Sequence, residues 1–418
     1  MSKTLKLGDN ALVYCAGDKA DRIFLLRTGR ITLSYADIET GKETADVVTP
    51  GEFFGINAVL GRFPREENAI AKEHATALAF TPAEFEQLLM SNDRIIMKML
   101  KVFSDQLRRV HARVSKITKT PHDVKADLAL FEIGEKYMAR MRFAHAKYIF
   151  ARYVELYPSG ENANVAAERL KTLANASPHE DQSRLFAGTA QKAPSHDDDS
   201  ILQMEIAFLG RFSRAFKPGE IIFSEYEPGS TFYLVRSGAV KLVKSTGQSE
   251  YTIDVLRQSE MFGEMAILDK SPRTASAIAI DNVTLLEFNE ENFEILMRGN
   301  PKIAIKLLKV FSTRIHRAKR RVTILALPDP LTRVADVFLM LDENRVSVDG
   351  KTGFYSREFT VNMEDIAHWA GLPIGKTKTV LDFLASQHRI KVNKGSVDVK
   401  NINDFSRIVA ASRRAASV

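Results

Sequence analysis

The sequence predicts an α+β multidomain chain, and three observations carry that prediction. Phe54-Gly55 answers Phe262-Gly263, Arg65 answers Arg273, and Leu100 to Ser104 recurs at Leu308 to Ser312, all at one spacing of 208 residues (262 − 54). A fixed offset over several separate matches marks a duplicated domain. Each copy ends in a helix whose apolar residues alternate at spacings of four and three, the pattern of a coiled-coil seam. Near the end of the chain, Met363 to Val392 reads as an amphipathic helix, a turn at Gly371-Leu372-Pro373, a second helix on Ile374 to Ser386 and a strand.

Composition limits the function classes. The 418 residues are 45% hydrophobic and 27% charged, ordinary globular usage for about two to four domains. No apolar run approaches the length of a bilayer span, and MSKTLKLGDN lacks the apolar core of a secretory signal. A cytoplasmic protein without a membrane partner is expected. Cys15 is the single cysteine, which excludes an intrachain disulfide framework and a cluster held by several thiolates of one chain. A net charge of +7 permits a polyanionic partner.

The first copy, residues 1–118, carries IFLLRTGRITL from Ile23 to Leu33 against FYLVRSGAVKL from Phe232 to Leu242, both strand-like around a glycine turn. Its helix places Ile96, Leu100, Phe103, Leu107, Val110, Val114 and Ile117 on one seam. The second copy answers with Ala304, Leu308, Phe311, Ile315, Ala318, Val322 and Leu325. Seams of matched length and register are expected to pair, either within one chain as a pseudo-dimer or across a homodimer. Residues 119–174 are helical in pattern, with Leu130, Ile133-Gly134, Tyr137, Ala146, Phe150 and Pro158 at tetratricopeptide-like spacings. One such repeat cannot bury both faces, so it leans on this chain or on a protein partner. Residues 175–200 read as a flexible linker, whose His179, His196 and Asp197 to Asp199 fit a charged solvated run better than a metal site. Residues 201–327 form the second copy and 328–418 the terminal module.

The second copy contains the stretch that organises the chain, Met261 to Ile278, MFGEMAILDKSPRTASAI. A tight turn into a short helix aims free amides at an anion. Gly263 lets the backbone approach a ligand, Arg273 offers a planar fork for phosphate oxygens, and ionised Glu264 is an acceptor for a hydroxyl. FGE-x-A followed by PRTAS resembles the phosphate-binding cassette of the cyclic-nucleotide-binding domains. The resemblance implies a β-roll, jelly-roll-like, for each copy. It places Glu264 on the ribose 2′ hydroxyl and Arg273 on the cyclic phosphate of cyclic AMP or cyclic GMP. Gly263 and Ala266 give amides, Thr274 lies beside phosphate or purine, and Phe262, Met265 and Ala275 complete the set. The first copy departs from the pattern. Ile56 stands at the place of Glu264, and Glu66-Glu67 follow Arg65 where Thr274-Ala275 follow Arg273, so it is expected to lack a working nucleotide site.

Cassette, long helix and the helix–turn–helix–strand of Met363 to Val392 together resemble the catabolite activator (cyclic AMP receptor) family of bacterial transcription factors. The resemblance implies a winged helix-turn-helix on double-stranded DNA, with the wing tipped at Gly395. In the family the second helix carries charged base readers; this chain has Pro373-Ile374-Gly375-Lys376-Thr377 there and Thr379 at the place of a later arginine. The expected DNA-contacting residues are Ile374, Lys376, Thr377, Lys378, Thr379 and Lys394, suited to phosphates more than to guanine edges. No nucleophile–base pair, metal-ligand spacing or P-loop stands in the sequence, so neither an enzyme nor a metal or other cofactor is expected. The leading expectation is a cyclic-nucleotide-responsive transcription regulator. The alternative is a nucleotide-binding signalling adaptor that acts on a protein through the tetratricopeptide-like region or a degenerate winged helix.

Overall fold

The computed structural model describes residues 3–36, 43–117, 125–174, 212–246, 249–258, 260–343, 356–393 and 395–415. They fall into two compact units, residues 1–119 with 296–418, and residues 120–295. The linker expected at 175–200, with its histidines and aspartates, lies outside the described residues. Among the described residues no helix is long and apolar enough to cross a membrane.

The first unit begins with a β-roll. Strands β1 (Lys3–Leu7), β2 (Leu12–Tyr14), β3 (Ile23–Thr28), β4 (Ile31–Ala36), β5 (Glu43–Val48), β6 (Phe53–Phe54), β7 (Asn68–Ala71) and β8 (Ala75–Phe80) make two antiparallel sheets, ordered β1-β8-β3-β6 and β2-β7-β4-β5. Alternation puts Phe24, Leu26, Ile31, Phe54 and Ala69 inside. A short helix α1 (Ile56–Gly61) follows β6. Helix α2 (Pro82–Met90) starts at a capping box, in which Thr81 Oγ1 accepts from the Glu84 N–H and the Glu84 carboxylate accepts from the Thr81 N–H. Helix α3 (Asp93–Ile117) carries the first seam.

The second unit opens with α4 (Ala126–Ala139), α5 (Phe143–Leu156) and α6 (Ala163–Ala174). Gly134 fits because a Cβ there would meet the Phe150 ring at 2.6 Å. The second roll repeats the first: β9 (Ser213–Phe216), β10 (Ile221–Phe223), β11 (Thr231–Ser237), β12 (Val240–Thr246), β13 (Ser249–Leu256), β14 (Met261–Phe262), β15 (Ser276–Ala279) and β16 (Val283–Asn289) form sheets β14-β11-β16-β9 and β10-β15-β12-β13. Helix α7 (Glu264–Asp269) occupies the place of α1, and α8 (Glu290–Gly299) follows β16. The helical insert packs on this roll: Leu130, Ile133, Ile149 and Phe150 share one apolar cluster with Ile221, Val243 and Ile278.

The chain then returns to the first unit with α9 (Pro301–Ala326), α10 (Pro330–Asp342), β17 (Arg357–Phe359), α11 (Met363–Ala370), α12 (Ile374–Ser386), β18 (Ile390–Asn393), β19 (Ser396–Val399) and α13 (Ile402–Ala415). Asp329 caps α10 and Asn362 caps α11. The three short strands pair as β17-β19-β18 beside the helices, over a core that includes Phe338, Phe359, Leu381, Leu384 and Phe405. The seam residues of α9 are all buried, as are Ile96, Leu100, Phe103, Leu107 and Val114 of α3. Val110, Val114 and Ile117 share a cluster with Val322 and Leu325. Both helices thus bring their C-terminal turns together, and the two seams of one chain pair in parallel.

His316 on α9 locks this unit. Its Nδ1 donates to Glu66 Oε1 at 2.6 Å and its Nε2 to Glu343 Oε2 at 3.2 Å, while its ring stacks on Phe63 at 4.0 Å. Both nitrogens donate to carboxylates, which requires the imidazolium. Lys319 also binds Glu66, and Arg320 also binds Glu343. Burial pulls the His316 pKa down, but the bonds to Glu343 and Glu66 outweigh it and the net shift is upward. A pKa raised on folding adds stability that is complete below the unfolded value and lost as pH rises through the folded value. The first unit is therefore expected to melt at progressively lower temperature as pH climbs from about 6 through that raised value. His316→Gln should flatten this dependence, and equal slopes for parent and variant would refute the assignment.

Candidate functional site

The cassette is assembled from two loops of the second roll. After β14 the chain turns at Gly263, whose φ of +82° lies in the left-handed region and whose missing Cβ leaves room for Arg273 Nη1, which a Cβ would meet at 2.7 Å. Helix α7 then begins at Glu264. Arg273 reaches back under the turn: Nη1 donates to the Gly263 carbonyl at 2.8 Å and Nη2 to Thr231 Oγ1 at 3.0 Å. The guanidinium lies 4.1 Å from the centroid of the Phe223 ring, in an aromatic group with Tyr233 and Phe262. Its Nε is buried without a hydrogen-bond partner among the described residues. Burial lowers the Arg273 pKa, against the attraction of Tyr233, Glu227 and Glu264. Glu264 and Arg273 are both buried.

The expected ligand residues therefore come together with different roles. Gly263, Glu264 and Ala266 stand at the turn into α7, and Arg273 bonds that turn from the facing loop, where Thr274 follows it. Phe262 and Met265 turn their side chains into the interior and can offer a ligand only backbone, and Ala275 is buried behind Arg273. The Arg273 loop is held by two main-chain bonds, from the Arg273 N–H to the Glu227 carbonyl and from the Tyr226 N–H to the Arg273 carbonyl. The helical insert grips the neighbouring loops that precede and follow β10. Arg152 of α5 donates to Glu227 Oε2 at 3.2 Å, and His145 lies 2.7 Å from the Gly219 carbonyl oxygen. Sequence reading missed Arg152 and Glu227, since nothing in the sequence of a helical insert says which roll loop it meets. It also missed Glu225, a fully enclosed carboxyl whose pKa burial pushes up to about 7 against Lys244, 3.7 Å away.

The first roll repeats the arginine but not the chemistry around it. Arg65 donates to the Gly55 carbonyl and lies 4.2 Å from the Tyr14 ring centroid. The two following carboxylates do not compete for it as equals: Glu67 accepts from the Tyr14 hydroxyl at 3.0 Å, and Glu66 is committed to His316 and Lys319.

In the terminal module, α11 ends at Gly371 in the left-handed region, φ +63°, where a Cβ would collide with Leu325 of α9. Arg321 of α9 donates to His368 Nδ1 and to its carbonyl. The outer face of α12 presents Ile374, Lys376, Lys378 and Thr379 to solvent. Thr377 corrects the sequence expectation. It is 0% exposed and its hydroxyl donates to the Pro373 carbonyl, because it shares the inward stripe of Leu381 and Leu384, four and seven residues on. It cannot reach a nucleic acid. Lys394 lies outside the described residues; its neighbour Gly395, φ +85°, turns β18 into β19.

A family model for the cyclic nucleotide-binding domain matches the chain twice, over residues 4–92 and 213–300. The chain is 30% identical over 194 residues to the cyclic AMP receptor protein of Thermus thermophilus, covering 46% of this chain and 86% of that protein. It is 32% identical over 198 residues to the global nitrogen regulator of a Nostoc species, again covering 46% and 86%. The crystal structure of the Thermus thermophilus catabolite activator protein aligns with 55% of this chain and 99% of its own at 27% identity, with a TM-score of 0.29.

Proposed function

Because this chain belongs to the cyclic AMP receptor family, we propose that it is a cyclic-nucleotide-responsive transcription regulator whose effector, cyclic AMP or cyclic GMP, binds in the second roll. The observation that carries this reading is the left-handed Gly263 beside the buried pair Glu264 and Arg273. In this reading Glu264 accepts from the ribose 2′ hydroxyl. Arg273 exchanges the Thr231 hydroxyl for phosphate oxygens, and its unpartnered Nε–H supplies a further donor. The first roll has no equivalent acceptor, since Ile56 is apolar.

The terminal module is the DNA reader in this proposal, a winged helix-turn-helix with α12 in the major groove and the β18–β19 turn near the backbone. Gly371 seated on Leu325 and Arg321 bound to His368 connect it to α9, so a change in α9 reaches the reader. Nucleotide and DNA then alter each other's affinity by the same factor. The insert, read as a single tetratricopeptide-like repeat, acts at home by bracing the loop that carries Glu227.

Lys376 and Lys378 are exposed on the first turns of α12, which suits phosphate contact. Alanine at either position is expected to weaken binding to all duplexes alike and to lower the salt slope by about one. Selective loss on cognate sites, by about 1 to 3 kcal/mol, would make that lysine a base reader instead. No binding to any duplex near 50 mM salt, with or without nucleotide, would overturn the regulator reading in favour of the adaptor.

A further inference from the structure

Within the first unit, the roll and the two long helices line a half-open cavity of about 1770 Å³, larger than the roughly 300–1,000 Å³ usual for a small-molecule site. Its walls are mostly apolar, with Leu33, Phe54 and Ile56 from the roll, Met99 and Val110 from α3 and Val322 from α9. Charged side chains border it as well, among them Lys98, Arg109 and Arg113, and two buried polar atoms on its wall are unsatisfied. Ser34 is 5% exposed, and its Oγ has no hydrogen-bond partner among the described residues. Asn57 spends its amide N–H on Gln106 at 3.0 Å and leaves Oδ1 buried and unpartnered. A buried polar group without a partner carries the whole cost of its desolvation, and two around one cavity point to an absent donor.

Comparison of the two rolls shows that these groups are peculiar to the first. Ser34 pairs with Asn68 across the sheet as Val243 pairs with Ser276, so Ser34 replaces a valine. Asn57 is the second residue of α1 as Met265 is of α7, so Asn57 replaces a methionine. The Ala16 N–H donates to Asn68 as the Glu225 N–H donates to Ser276, so Ala16 leaves space where the second roll places a glutamate. Meanwhile the acceptor Glu264 has become Ile56, and Glu66 and Glu67 border the cavity. The first roll has thus lost the buried carboxylate acceptor of the second and gained two unsatisfied oxygens on its cavity wall.

We propose that the first roll binds a largely apolar small molecule that donates N–H or O–H groups to Ser34 Oγ and Asn57 Oδ1. Because α3 and α9 form one wall of the cavity, occupancy would act on the same helix pair that His316 locks to the roll.

The test uses the full chain and three congeners, 1-naphthol, 1-methoxynaphthalene and 1-naphthoate, titrated by calorimetry. The anion is included because Arg109 and Arg113 also border the cavity. Saturable binding of 1-naphthol is expected, about fivefold tighter than the ether that lacks a donor, as one neutral hydrogen bond provides. In the double variant Ser34→Val, Asn57→Met that preference should collapse to within about twofold. Thermal melting checks that the variant folds, and Asn57→Leu alone serves if it does not. Three results would overturn the proposal: no saturable binding, equal affinity for naphthol and ether, or tighter binding of naphthoate. Displacement of 1-naphthol by cyclic AMP in the Arg273→Ala protein would overturn it too, by making the cavity a nucleotide site.

Discussion

Replacing Arg273 by alanine is expected to lower affinity for the cyclic nucleotide by about thirtyfold to several thousandfold, since removing a desolvated partner of a charge costs about 2 to 5 kcal/mol. The upper part of that range is favoured by the site's burial, where the guanidinium sits on Phe223 and under the Gly263 turn with little water to replace it. The parent should bind one nucleotide per chain. Arg65→Ala should leave that site untouched, because Ile56 and the carboxylates at 66 and 67 leave the first roll without a phosphate-ribose cradle. Calorimetric titration with cyclic AMP and cyclic GMP reads both variants. Unchanged affinity in Arg273→Ala, or a second site abolished by Arg65→Ala, would show that the effector sits elsewhere.

The second large effect concerns the junction of α9 with the terminal module. Asp336 is 1% exposed and accepts from Arg320 Nη2 at 2.9 Å and from Arg413 Nη2 at 3.1 Å. Burial lowers the Arg320 pKa, but its bonds to Asp336 and Glu343 more than restore it. Asp336→Ala leaves a largely enclosed guanidinium with Glu343 alone, and breaking a buried pair from one side costs about 3 to 5 kcal/mol. Arg413 is half-exposed, so Arg413→Ala should cost at most about 1 kcal/mol. Trp369 is the single tryptophan of the chain and packs on the core of this module. Urea unfolding followed by its fluorescence therefore reports the module directly. Equal midpoints for the two variants would show that Asp336 carries no such load.

Much of the architecture was legible because it follows from local periodicity. The two heptad seams and the glycine before Glu264 state their geometry within a few residues of sequence, and the repeated offset of 208 residues (262 − 54) marks the second roll as a copy of the first. Thr377 is a nucleic-acid contact in the sequence reading and a buried side chain in the structure. The inward phase it shares with Leu381 and Leu384 was present and decides the matter. Other features had no local signal at all. His316 meets a glutamate 250 residues away in the chain, and Arg152 meets Glu227 across a helix–roll contact. The unpartnered oxygens of Ser34 and Asn57 become visible only when the two rolls are compared strand by strand, because an isolated serine or asparagine in a sequence is unremarked.

With the terminal module as the DNA reader proposed above, the parallel pairing of α3 with α9 bears on the shape of its operator. A regulator built as a two-fold dimer meets DNA through twin reading heads and selects a palindrome, its half-sites one helical turn or a multiple of it apart. Here the partner for the α9 seam comes from the same chain, and α3 leads on to the helical insert, while α10 through α13 follow α9 alone. One such pair carries one head. With the terminal module as the reader, its recognition sequence would be a lone half-site without inverted symmetry. Orientation relative to a promoter would then matter, as it does not for a palindrome.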